Sequence, residues 1–148
     1  MNDQLALLST AAGTGALLIT AGWLLLHLAR RAARGALKRN QLAGIRTSVT
    51  LSSDAAWQAA HVAAESDSVR GAQGLIVGGV AAGASGLLAL TGLSFPITAT
   101  TFTLITLGST AWLLIWTLRG AAVGQKAAAQ ITAKDQLVQS SGRKNTQT

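Results

Sequence analysis

Three long stretches without a charged residue, set between basic segments, dominate the pattern of hydrophobic and polar positions. Residues 5–29, 74–93 and 97–118 contain no Asp, Glu, Lys or Arg. Each matches the roughly 20 mainly apolar residues that a helix needs to cross the hydrocarbon core of a bilayer. A chain of 148 residues offers too little polar surface to cover three such segments in water. The pattern predicts an all-α, polytopic membrane protein with three transmembrane helices in a single membrane domain spanning 1–148. Its parts are a first span at 5–29, a segment at 30–73, spans at 74–93 and 97–118, and a tail at 119–148.

The connecting regions carry their own signals. Ser52 or Ser53 suits the N-cap of a helix with Asp54 in its first turn, where an anion is favoured. That short helix is expected to run to about Val69, ahead of Gly71. Asn40 to Thr50 reads as an irregular turn centred on Gly44, and the turn around Gly92 to Pro96 joins the last two spans as a tight hairpin. In the tail, Val123, Ala127, Ile131 and Val138 fall roughly on one side of a helix that either continues the third span or lies along the membrane surface. Ser140 to Thr148 is polar and expected to lack order.

Composition narrows this picture. Charged residues are only 11% of the chain, less than half the usual share of a soluble domain. With no Cys, disulfide and thiolate chemistry are excluded. The net charge of +7 raises the question of nucleic acid. The basic residues lie at the ends of apolar runs, however, which points to anionic lipid and not to nucleic acid. Arg30, Arg31, Arg34, Lys38, Arg39, Arg46 and Arg70 lie between the first and second spans, and Arg119, Lys126, Lys134, Arg143 and Lys144 follow the third. Because Lys and Arg are retained on the cytoplasmic side, the expected topology in the cell membrane has the N-terminus outside and 30–73 and the C-terminus inside. The first segment lacks a positive leading region and a small-residue cleavage site, so it reads as a retained transmembrane helix and not a signal peptide.

Packing between spans is expected to be close. Gly74, Gly78, Ala82 and Gly86 recur at four-residue spacing, with Gly79 and Gly83 on a neighbouring stripe and Ala11 and Gly15 in the first span. Small residues at this period let helix backbones approach in lipid, and they serve self-association into a homo-oligomer equally. Thr103, Thr106 and Thr110 share a face of the third span, where a hydroxyl bonds either its own helix or a neighbour. Trp23, Trp112 and Trp116 fall near the inner ends of their spans, at headgroup level. His27, one turn after Trp23, is the ionisable residue within a span and is expected to reach the interface or bond a neighbouring helix.

Candidate chemistry concentrates between the first two spans. Arg30, Arg34 and Lys38, at i, i+4 and i+8, share a face if the first helix continues, and with Arg31 they suit anionic lipid headgroups. Gly44-Ile45-Arg46-Thr47 is followed by Asp54, Trp57, His61 and Glu65, which share one face of the short helix. Trp57 and His61, one turn apart, can stack, and Glu65 is placed to orient the imidazole. A single His with two carboxylates over three turns does not converge on one ion, so no metal is expected. Neither a nucleophile turn nor a phosphate-binding glycine loop with a following Lys occurs. The reading is therefore a non-enzyme without cofactors.

The series Asn40, Gly44-Ile45-Arg46-Thr47, Thr50, Ser53, Ala56-Trp57 and Ala60-His61, after one span and before two more, resembles the SdpI-type immunity protein family. Ser53, Trp57 and His61 stand at the spacing of that family's Ser-x-x-x-Trp-x-x-x-His helix. Two positions depart from the pattern: Ser48 stands where Pro often follows the tetrad, and Val62 stands where a basic residue often follows the His. The resemblance implies immunity, in which a small polytopic protein protects its own cell from a secreted antimicrobial peptide or toxin. The expected partners are membrane lipids and a peptide toxin or another membrane protein. The alternative function is an accessory subunit of a larger membrane complex. Arg46 is the residue most strongly singled out, as a lone guanidinium placed to bond helix-terminal carbonyls or a carboxylate such as Asp54.

Overall fold

The computed structural model describes residues 2–39 and 44–145. It is all-helical, with no strand among the described residues: α1 is Asn2–Ala33, α2 is Asp54–Ser85, and α3 is Phe95–Asn145. Three helices are long and apolar enough to cross a membrane. The chain divides into two compact units, to which all three helices contribute. One comprises the residues up to His27 with Ser68–Thr117, here called the span unit. The other comprises Leu28–Asp67 with the residues from Leu118 onward, here called the motif unit.

The span unit is inside-out relative to a water-soluble bundle. Leu17, Val80, Leu104 and Ile115 are each more than half exposed, while Ala11 and Ala82 are fully buried. Large apolar side chains face outward because hydrocarbon charges nothing for them, and small ones line the contacts because close backbone approach is what holds helices together in lipid. The middle helix is α2: 39% of its most apolar stretch is buried, against 17% for α1 and 6% for α3.

Its glycines serve two neighbours. A Cβ at Gly79 would lie 2.9 Å from the Gly15 carbonyl oxygen, and one at Gly15 would lie 2.7 Å from that of Gly79 and 2.9 Å from Gly83 Cα. Gly22 abuts Ala72 and Ile76 in the same way, and Gly86 abuts Ala11 and Leu8. On its other side α2 meets α3, with Gly74 against the Trp112 indole and Gly78 against Ser109. The four-residue series Gly74, Gly78, Ala82, Gly86 is thus shared out. Its first two members face α3, Ala82 is buried, and Gly86 faces α1. The threonines of α3 bond within their own helix: Thr103, Thr106 and Thr110 donate to the carbonyls of Ala99, Phe102 and Thr106 at 2.8, 2.9 and 2.9 Å.

Three expectations are corrected. The short helix at 54–69 is not a separate element, because α2 runs unbroken from Asp54 to Ser85. Gly71 does not end it; its missing side chain makes room for Trp116 and Leu113 of α3. The first helix does not continue to Lys38. Gly35, at φ +74°, closes it in a Schellman motif, with Ala36 N–H donating to Arg31 O at 3.0 Å and Gly35 N–H to Ala32 O at 3.1 Å. Lys38 therefore lies beyond the helix whose last turn holds Arg30 and Arg31. The tail continues the third helix, one of the two arrangements expected, and its buried residues are Gly120, Gly124 and Ala128, with Val123 and Val138 exposed. Finally, α3 extends through Asn145, past the Ser140 at which order was expected to end.

At the hairpin, a 3-10 turn, Gly86–Leu90, follows α2. Gly92 takes φ +81°, and Ser94 O accepts from Ile97 and Thr98 N–H to start α3. Pro96 sits in that first turn, where its missing N–H costs nothing.

Candidate functional site

The site is a bracket in the motif unit, built by a loop, α2 and the far end of α3. Ser53 starts α2: its Oγ accepts from Ala56 N–H at 3.1 Å and its carbonyl from Trp57 N–H at 3.0 Å. One turn on, Trp57 is 2% exposed and its indole Nε1 donates to Leu37 O at 3.0 Å. Gln58 Nε2 donates to Ala33 O at 2.6 Å, taking one of the carbonyls that the end of α1 leaves unpaired. Two successive side chains of α2 thereby hold the exit of α1.

His61 is 6% exposed and holds the loop. Its Nε2 accepts from Ile45 N–H at 3.1 Å, and its Nδ1 lies 2.8 Å from Trp57 O. A backbone amide only donates and a carbonyl only accepts, so the pair of bonds requires the neutral ring protonated at Nδ1. The rings of Trp57 and His61 lie 4.3 Å apart at 44°. Glu65 was the expected orienter of this imidazole. The structure gives that task to the Trp57 carbonyl and the Ile45 amide, which occupy both ring nitrogens.

Gly44 makes the arrangement possible. Its φ is +102°, and a Cβ there would collide with His61 Nε2 and approach the Trp57 ring to 3.0 Å. Both the backbone angle and the space demand glycine. Downstream, Thr47 and Thr50 lock the loop reciprocally. Thr50 Oγ1 accepts from Thr47 N–H at 2.9 Å and donates to Ile45 O at 2.7 Å, while Thr47 Oγ1 accepts from Thr50 N–H at 3.2 Å. Thr50 is fully buried.

Helix α3 closes the bracket through small residues. Gly124 lies where a Cβ would meet Ile45 Cδ1 at 2.7 Å and Ala60 O at 2.8 Å. Ala56, Ala60 and Ala128 are fully buried together, with Val49 packed on them. The Ser52 and Thr132 hydroxyls lie 3.1 Å apart, and Arg119 Nε lies 3.3 Å from the buried Asp67 carboxylate. Sequence reasoning did not find the contributions of Gly35, Gln58, Gly124, Ala128 or Asp67. For α3 the signal was present as Gly120, Gly124 and Ala128 at four-residue spacing.

The structure therefore brings Gly44, Ile45, Thr47, Ser53, Trp57 and His61 into one hydrogen-bonded assembly. Asp54, exposed at the start of α2, pairs with Arg39 at 3.1 Å, and Arg39 also donates to Leu51 O at 2.8 Å. Arg46 is exposed between two residues whose backbones are fixed. Asn40 lies outside the described residues. Arg30, Arg31, Arg34 and Lys38 are all exposed. His27, in the span unit, is exposed and stacks on Trp23 at 5.7 Å and 14°.

Chemically, the bracket spends its imidazole on structure. A ring with both nitrogens committed is neither a general base nor a metal ligand unless the loop lets go. The guanidinium of Arg46 is an exposed charged group carried on this fixed frame, as are Arg39 and Asp54.

No curated protein and no solved structure matches the chain. A family model does, over residues 36–119, a stretch that begins just after α1 and takes in the whole bracket loop, α2 and α3 as far as Arg119. By that match, over more than half of its length, the chain belongs to the SdpI/YfhL protein family.

Proposed function

We propose that this chain is a multi-pass cell-membrane protein of the immunity type, protecting its own cell from a secreted antimicrobial peptide or toxin. The observation that carries the reading is the family match across the bracket loop, α2 and α3 as far as Arg119. Three apolar helices fit a multi-pass membrane protein, and membership is consistent with a membrane immunity-type role, in a family not known for catalysis. In this reading the N-terminus is outside and the bracket and C-terminus are cytoplasmic, as the distribution of all 12 Lys and Arg favours. The span unit meets the toxin within the bilayer. The bracket presents Arg46 on a rigid loop to a carboxylate or a carbonyl terminus of the partner, and Arg30, Arg31, Arg34 and Lys38 rest among anionic headgroups.

The deciding experiment expresses the chain in a toxin-sensitive strain. Survival is expected to rise, and Arg46→Ala is expected to lower it at unchanged protein level. Equal survival with and without the chain overturns the proposal. Topology has a separate check, because the chain has no Cys. Ser48→Cys, at an exposed loop position, is expected to resist an impermeant thiol reagent in intact cells and to react after permeabilisation.

A further inference from the structure

One hydrogen bond of the motif unit depends on the charge of a side chain. His61 Nδ1–H donates to Trp57 O, one turn back on α2, at 2.8 Å, and Nε2 accepts from Ile45 N–H, on the loop, at 3.1 Å. A proton added at Nε2 leaves the first bond intact and sets N–H against N–H in the second. Histidine ordinarily changes charge between about pH 5 and 8, where carboxylates are ordinarily ionised and Lys and Arg protonated.

Geometry decides which side gives way. The ring is buried, and the Trp57 indole, 4.3 Å away, offers a face that attracts a cation, so α2 holds the ring in both charge states. The Gly44–Ile45 peptide is the weaker side, because Gly44, at φ +102°, has no Cβ to resist rotation. Beyond it the loop is held independently of the ring. The Thr50 hydroxyl bonds Ile45 O at 2.7 Å and Thr47 N–H at 2.9 Å. Of the charged side chains on the elements packed here, Arg46 follows Ile45 on the loop, and its charge opposes a second one on the ring. Asp54 and Glu65 share α2 with His61 and stay with it however the loop moves, and Asp54 is already paired with Arg39 at 3.1 Å. Asp67, also on α2, pairs with Arg119 of α3 at 3.3 Å, and Lys126 of α3 and Lys38 after α1 are exposed.

We infer that His61 is a proton-operated latch: the neutral ring holds the start of the loop on α2, and proton uptake at Nε2 releases the Gly44–Ile45 peptide while the Thr47–Thr50 lock keeps the rest in place. The latched loop requires an unprotonated Nε2 and the released one does not, so the hold is present at higher pH and lost as pH falls. Arg46 lies between latch and lock, and acid changes it from a residue fixed on both sides to one fixed on one side. Under the function proposed above, that loosening weakens the presentation of Arg46 to the partner; the latch itself does not depend on that reading.

Amide exchange read by NMR on the isotope-labelled full chain in detergent micelles, from about pH 8 to about pH 5 and corrected for the intrinsic pH dependence of exchange, tests it. Protection at Ile45 is expected to fall about tenfold per pH unit through the transition, as release linked to one proton requires, while the Thr47 and Thr50 amides hold. His61→Gln, whose carboxamide oxygen accepts from the Ile45 amide without titrating, is expected to give a flat profile, whereas His27→Gln keeps the response. Should His61→Gln fail to fold, the ring nitrogen shifts of wild-type His61 are expected to pass from the neutral Nδ1–H form to the imidazolium in step with the loss at Ile45. Equal protection of Ile45 at both ends of the range overturns the inference, as does a ring that titrates while Ile45 stays protected. A loss that persists in His61→Gln overturns it by placing the titrating group elsewhere, and a loss shared by the span unit does so by showing general unfolding.

Discussion

The two units are held by different physics, although the same three helices build both. In the span unit glycine matters for what it lacks. Gly15 and Gly79 place backbone against backbone, and a single Cβ on either would collide with main-chain atoms that have no rotamer to move. In the motif unit glycine matters for what it permits. Gly44 adopts φ +102° so that an amide reaches an imidazole, and the rest of the bracket is a set of directed hydrogen bonds. Hydrocarbon supplies no hydrophobic drive between helices, so the span unit relies on close dispersion contact. The loops of the motif unit must satisfy backbone groups that no helix satisfies, and they do so with Thr, Trp, Gln and His side chains.

Four substitutions sharpen or break this contrast, taken from the largest expected effect downward. Gly15→Leu should abolish the assembled protein, seen as loss of a monodisperse peak in detergent, while Gly13→Leu on the same helix, with nothing within 4 Å of its Cβ, should elute as wild type. If both behave alike, close backbone packing is not what holds the spans. Gly44→Ala should fold but lose about 1–3 kcal/mol from backbone strain alone, and more from the clash with His61, read as a lower Tm in detergent. A melting curve indistinguishable from wild type would show the loop to be indifferent to its glycine.

His61→Phe keeps a ring beside Trp57 but strands the Ile45 N–H, at a cost of about 1–3 kcal/mol. Amide exchange at Ile45 should accelerate in that variant while exchange in the span unit holds, and a uniform change would contradict the division into two units. Arg39→Ala should do least. Its partner Asp54 has a side chain 86% exposed, and such a pair contributes about 0–1 kcal/mol. A larger drop in Tm would assign this ion pair a structural weight that its exposure argues against.

Much of this was legible in the chain. Three stretches apolar enough to cross a bilayer and the clustering of basic residues are counted directly, because each depends on a run of neighbouring residues. The Gly-Ile-Arg-Thr and Trp/His pattern marked the bracket for the same reason. The break at Gly71 was misjudged because a glycine that ends a helix and one that admits a tryptophan look identical in one dimension. At Gly35, a residue that closes α1 in a left-handed turn read only as part of a basic segment. In the tail, Val123 and Val138 are the more apolar residues, but Gly124 and Ala128 are the ones that allow contact.

By itself, then, the sequence determined that the chain is helical, how many of its helices suit a bilayer, and which short stretch is unlike the rest. Hydropathy and charge act locally along the chain, so order alone reveals them. Only the tertiary structure decided which neighbour each glycine of α2 meets, that Trp57 and Gln58 hold the end of α1, and that His61 is bonded through both nitrogens. Those outcomes depend on the rotational phase and crossing of helices, quantities set by all the contacts together and written at no single position.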